Sequence, residues 1–73
     1  MNRSRIERTK KLYPKGTRIQ LDYMDDFRAV QPGTNGTVTH VDDMGNIHTK
    51  WDNGRTLAVC SDIDIFHKIK EVQ

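Results

Sequence analysis

Hydrophobic residues in this chain come in short runs that alternate with polar ones, and the runs are separated by glycine, proline, asparagine and aspartate. A period of two over four to eight residues predicts strands with one buried face. Arg18–Tyr23 alternates cleanly and places Ile19, Leu21 and Tyr23 on one side. Met24–Val30 has no period and reads as a loop. Pro32-Gly33 and Asn35-Gly36 are turn dipeptides leading into the β-branched run Thr37–Val41. Val38 and Val41 cannot share a face of a regular strand, so burying both requires a bulge or a twist between them. Asp42-Asp43-Met44-Gly45 predicts a hairpin turn with Gly45 at positive φ. The return strand Asn46–Trp51 puts Ile47, Thr49 and Trp51 together, with His40 and His48 on neighbouring strands where they can face each other. Asp52-Asn53-Gly54 is a second hairpin turn, and Thr56–Cys60 follows with Leu57 and Val59 inward. Ser61–Asp64 has the look of one helical turn capped by Ser61 or Asp62, and Ile65–Ile69 of a last short strand.

The first residues differ. Arg5 to Leu12 contains no helix breaker, Ser4 and Glu7 have capping-box spacing, and Pro14 ends the segment. A helix of about eight residues is not stable alone in water. This one either docks through Ile6, Leu12 and Tyr13 or frays. The expected organisation is a helical arm over residues 1–14 and a small β-domain over 15–70. Five short strands as a flat sheet would leave two open edges, which partial closure into a barrel hides. Strand, long loop, three-stranded meander, helical turn and strand is the order of a Src-homology-3-like barrel, with an OB-type barrel as the rival. The expected fold class is therefore mainly β: a five-stranded barrel of this kind with a short N-terminal helix.

Charge divides the chain along the same line. Residues 1–18 carry seven basic side chains against Glu7 alone, a balance of +6, while residues 19–66 carry Arg28, Lys50 and Arg55 against eight aspartates, a balance of −5. A basic arm is joined to an acidic body. Seventy-three residues form one domain with a thin core and leave no room for a cleft between two lobes. Cys60 is the only cysteine, so no internal disulfide can form. No apolar run approaches the roughly 20 residues of a membrane helix, and no apolar segment follows the charged start as in a signal peptide. A cytoplasmic monomer that uses no cofactor and contacts no membrane is the simplest expectation.

Catalytic and metal-binding constellations fail at their spacing. His40, His48, His67 and Cys60 fit no zinc pattern. Asp62-Ile63-Asp64 begins like a calcium loop, but its glycine and later glutamate are absent. Asp42 and Asp43 sit in a turn, where local backbone bonding favours aspartate. Cys60 ends an apolar strand, where a buried and inert thiol is expected. No glycine-rich phosphate loop precedes a helix. These failures exclude the common enzyme classes and predict no catalytic residue.

Combined, Tyr13-Pro14-Lys15-Gly16-Thr17-Arg18-Ile19, Pro32-Gly33-Thr34-Asn35-Gly36-Thr37-Val38, Val41-Asp42-Asp43-Met44-Gly45-Asn46-Ile47-His48 and Trp51-Asp52-Asn53-Gly54-Arg55 resemble a small family of unknown function. That family occurs in Gram-positive bacteria and their plasmids, phages and conjugative elements. The resemblance runs from about Arg5 to Ile69 and implies no activity. Residues Asp26–Gln31 depart from the proline-richer loop of the family. A looser resemblance to Mind-bomb-type, ribosomal and transcription-factor barrels speaks to fold and to peptide or RNA binding as a class.

Two binding readings follow. In the first, Tyr23, Phe27 and Trp51 line a shallow groove, and Asp25, Asp26 and Asp52 select a basic or proline-containing segment of a protein partner. Trp51 can sit at the rim for this purpose or be the main core residue, and Phe27 can be a contact or a lid on the core. In the second, the domain is a nucleic-acid accessory factor of a mobile element that grips phosphate through Arg3, Arg5, Arg8, Lys10 and Lys11. Against it, no aromatic side chain interleaves those charges. The bland alternative is a solvated helix that balances an acidic body.

Overall fold

The computed structural model describes residues 3–25, 30–60 and 63–70. The alternating runs form five strands: β1 (Arg18–Tyr23), β2 (Asn35–Val41), β3 (Asn46–Trp51), β4 (Thr56–Cys60) and β5 (Ile65–Lys68), preceded by a helix, α1 (Arg3–Leu12). They make one antiparallel sheet in the order β4-β3-β2-β1-β5. The outermost strands, β4 and β5, are not paired with each other, so the sheet is unclosed. The mainly-β architecture with a short helical arm is as expected.

Both short hairpins follow the same turn chemistry. In each, three residues separate the closing pair and a glycine with positive φ comes last: Gly45 at 86° between β2 and β3, Gly54 at 92° between β3 and β4. That loop is a type I turn followed by a left-handed residue, which only glycine adopts without strain. Asp42 closes the first turn by accepting the N–H groups of Met44 and Asn46, each at 2.9 Å. Asn53 accepts from the N–H of Arg55 at 3.0 Å in the second.

Ile19, Leu21, Val38, Ile47, Trp51 and Val59 are fully buried, with Thr49 among them. Each such apolar side chain contributes about 1.5–3 kcal/mol. Met24 and Val30, read as loop positions from sequence, complete the core at the two ends of the β1–β2 connection.

Three sequence expectations are corrected. Asn35-Gly36 is not a turn; it opens β2. Gly36 lies opposite Trp51, and a Cβ there would come within 2.6 Å of Thr49 Cγ2 and 2.7 Å of Trp51 Cε3. The glycine is needed for the space above it rather than for chain reversal. Tyr23 does not share the face of Ile19 and Leu21. Leu21 pairs with Phe66 and Tyr23 with Ile65, so Asp22 is an extra residue and the register shifts. The bulge leaves Tyr23 49% exposed and brings Met24 inward at 6%. Finally, α1 starts at Arg3, which places Ser4 inside its first turn rather than at its cap.

The bulge expected between Val38 and Val41 is present. Val38 pairs with Thr49 and His40 with His48, leaving Thr39 as the extra residue, and Val41 packs against the core. The helix buries no residue. Of its expected anchors, Leu12 is exposed and Ile6 half-buried, while Tyr13 packs tilted on Phe66 with ring centroids 5.3 Å apart. Lys68 Nζ lies 5.2 Å over the Tyr13 ring, and Lys10 reaches Asp43 at 3.0 Å.

Candidate functional site

Of the residues expected to form one groove, the described ones divide: Tyr23 and Asp25 are exposed, while Trp51 is buried and Asp52 is paired. Trp51 is 1% exposed and its Nε1 donates to the Leu57 carbonyl at 3.1 Å. It is the largest member of the core and presents no face outward, which corrects its assignment to a partner surface. Asp52 is held by Arg18 through two parallel bonds of 2.9 and 2.6 Å, while the same guanidinium donates to Thr37 Oγ1. That fork lowers the Asp52 carboxyl below its ordinary range. Asp52, at the β3–β4 turn, is thus paired with β1 through Arg18. Asp26 and Phe27 lie outside the described residues.

Tyr23 and Asp25 do reach the surface, in company that the sequence reading missed. Ile65, the cross-strand partner of Tyr23, and nearby Ile63 are each 59% exposed. Met24, Asp25, Leu57, Ala58, Cys60, Ile63 and Asp64 line an adjoining cleft of about 230 Å³. Asp64 builds it: one carboxylate oxygen accepts the Asp25 N–H at 3.2 Å and the other the Cys60 N–H at 2.9 Å. That role accounts for Asp64 without a calcium loop; Asp62 and the proposed cap Ser61 lie outside the described residues. Asp22, on the same edge, has Oδ2 2.7 Å from His67 Nδ1. The available signal is the alternation Asp62-Ile63-Asp64-Ile65, which sets the two isoleucines two residues apart. It points outward only because the bulge at Asp22 turns its partner Tyr23 outward.

On the β2–β3 hairpin, His40 and His48 do face each other. Their rings stack with centroids 4.2 Å apart and 9° between planes. His48 Nε2 lies 2.8 Å from Asp42 Oδ2, and His40 Nδ1 lies 3.2 Å from Thr39 Oγ1. The His48 hydrogen bond, followed by the backbone N–H groups of Asn46 and Met44, lowers the Asp42 carboxyl to about 2. A groove of about 390 Å³ runs beside the pair, lined by Thr39, Thr56, Leu57 and Ala58 among others. Among the described residues, no three histidine, cysteine or acidic side chains are placed to hold a metal ion. Cys60 is half-buried rather than enclosed.

The arm presents Arg3, Arg5, Arg8 and Lys11 on its exposed faces. Lys10 is engaged by Asp43, whose hydrogen bond and charge raise its pKa. No helix among the described residues is long and apolar enough to cross a membrane.

These features define a small single-sheet β-domain carrying a basic helical arm, an apolar patch with acidic neighbours, and a stacked imidazole pair. The chain belongs to the family described as a domain of unknown function, DUF4314, which matches residues 2–69. No curated protein and no solved structure matches it.

Proposed function

We propose that this domain is a non-catalytic binding module that docks an apolar, basic segment of a protein partner at the β1–β5 end of the sheet. The observation that carries this reading is the outward pair Tyr23 and Ile65, exposed beside the Asp64-built cleft. An apolar side chain of the partner enters between Met24 and Leu57, and Asp25 at the rim favours lysine or arginine next to it. Asp26 and Phe27 of the connecting loop remain part of the proposed surface. Selection from a displayed random-peptide library tests it: apolar sequences flanked by Lys or Arg are enriched, and Tyr23→Ala or Asp25→Lys abolishes their retention. Enrichment of acidic sequences, or retention indifferent to both substitutions, overturns it.

A second reading is favoured by one specific observation: α1 buries none of its residues while carrying five basic ones, Arg3, Arg5, Arg8, Lys10 and Lys11. A helix so little used for packing is suited to neutralising phosphate, with affinity that falls steeply with salt. Rolling of the sheet into a Src-homology-3-like barrel, supported by the strand order and the long β1–β2 connection, belongs to this proposal. So do a cytoplasmic setting, supported by the single cysteine, and an origin in mobile elements, supported by the family resemblance.

A further inference from the structure

We infer that the β2–β3 hairpin carries a base-stacking site for single-stranded nucleic acid, formed by His40 and His48. The inference rests on the second reading, in which the arm contacts phosphate, and adds a place for the bases. The two rings are parallel and fixed before any ligand arrives: Asp42 holds His48, and Thr39 holds His40. A platform already ordered loses little side-chain freedom on binding. His40 is exposed, and the groove beside the pair is lined by threonines as well as Ala58 and Leu57. That combination suits a flat heteroaromatic ring with polar edges.

Charge around the hairpin favours the same ligand. Lys50 is exposed and lies two residues beyond His48 on the same face of β3. Three carboxylates border the hairpin and each is closed by a base: Asp42 by His48, Asp43 by Lys10 and Asp52 by Arg18. The Lys10–Asp43 bridge ties the arm to the turn that also carries Asp42, so α1 and the imidazole stack are held by neighbouring residues. A strand whose phosphates follow Arg3, Arg8, Lys11 and Lys50 can lay a base on His40. A duplex offers no free base face, so the site selects single strands and is tolerant of sequence.

Fluorescence anisotropy on the full chain tests this with three labelled probes of equal length: an oligothymidylate, a DNA duplex and an abasic single strand. The oligothymidylate binds more tightly than the other two. Replacing both His40 and His48 by alanine weakens it on the order of tenfold, leaving the abasic affinity and the salt slope unchanged. His40→Phe retains affinity, because a flat ring remains, and this separates stacking from a merely structural role. Charge reversal of Arg3, Arg8 and Lys11 weakens all three probes and flattens the salt slope. Equal binding of the abasic strand, or indifference to the double substitution, overturns the stacking site and leaves the arm reading standing. Failure of every probe to bind overturns both.

Discussion

Strands β1 and β2 each hold one extra residue, and the two bulges do opposite things. At Thr39 the bulge lets Val38 and Val41 both face the core, beyond the regular register in which His40 pairs with His48. At Asp22 the bulge takes Tyr23 out of the core and puts Met24 in its place. One irregularity adds to the core; the other transfers an aromatic side chain to the surface. A bulge is therefore a means of choosing which side chains a small sheet keeps and which it shows.

Substitutions on either side of this contrast differ in size. Trp51→Ala, in the core that the β2 bulge completes, lowers stability by about 3–5 kcal/mol and is expected to leave little folded chain in a denaturant titration. Met24→Ala lowers the denaturation midpoint by the equivalent of about 2–4 kcal/mol, because Met24 occupies the core position that alternation would give to Tyr23. Tyr23→Ala changes stability by only about 0.5 kcal/mol in the same titration. A loss there as large as that of Met24→Ala would mean that Tyr23, and not Met24, is the core residue.

The acid limb of stability distinguishes the two ends more finely. Asp42 has its carboxyl lowered from 3.8 to about 2 in the folded chain. Its contribution is complete above the unfolded value and disappears as pH falls through the folded one. Stability is thus expected to decline between about pH 4 and pH 2 as this group is protonated. Asp42→Asn lowers stability at neutral pH and flattens that decline, as followed by thermal melts across the acid range. An undiminished slope in the variant would place the acid sensitivity elsewhere, with Asp52, lowered in the same direction by Arg18, as the first alternative.

Much of this fold is legible in the sequence, because a half-buried strand imposes a pattern. Ile47, Thr49 and Trp51 fall on one face with no exception, and the conflict between Val38 and Val41 announces its own bulge. Tyr23 gives no such warning: its ring fits a core and its hydroxyl fits water, so regular alternation accepts it. Met24 and Val30 are hidden for a related reason, since a loop residue is buried by contacts that no local period records. The two Asn-Gly pairs show the limit of dipeptide signals. Asn53-Gly54 reverses the chain with φ at 92°, whereas Asn35-Gly36 runs straight into β2. What separates them is Trp51, a residue distant in sequence from the second pair. The outward patch at Tyr23, Ile63 and Ile65 leaves no local pattern, since Tyr23 joins it only through the Asp22 bulge. The stacked histidines are legible because hairpin register alone brings them opposite each other.

The close approach at Gly36 makes two distant positions a single heritable unit. With the indole at position 51, any side chain at 36 collides, so relatives that keep the tryptophan are expected to keep the glycine. A lineage that loses the tryptophan removes part of the crowding at position 36, with Thr49 Cγ2 still 2.6 Å from a Cβ there. Gly36→Ala alone is expected to cost about 1–3 kcal/mol, and to cost measurably less when combined with Trp51→Leu in a double-mutant cycle. The order of change would then matter in evolution: growth at position 36 costs less once the indole is gone than before.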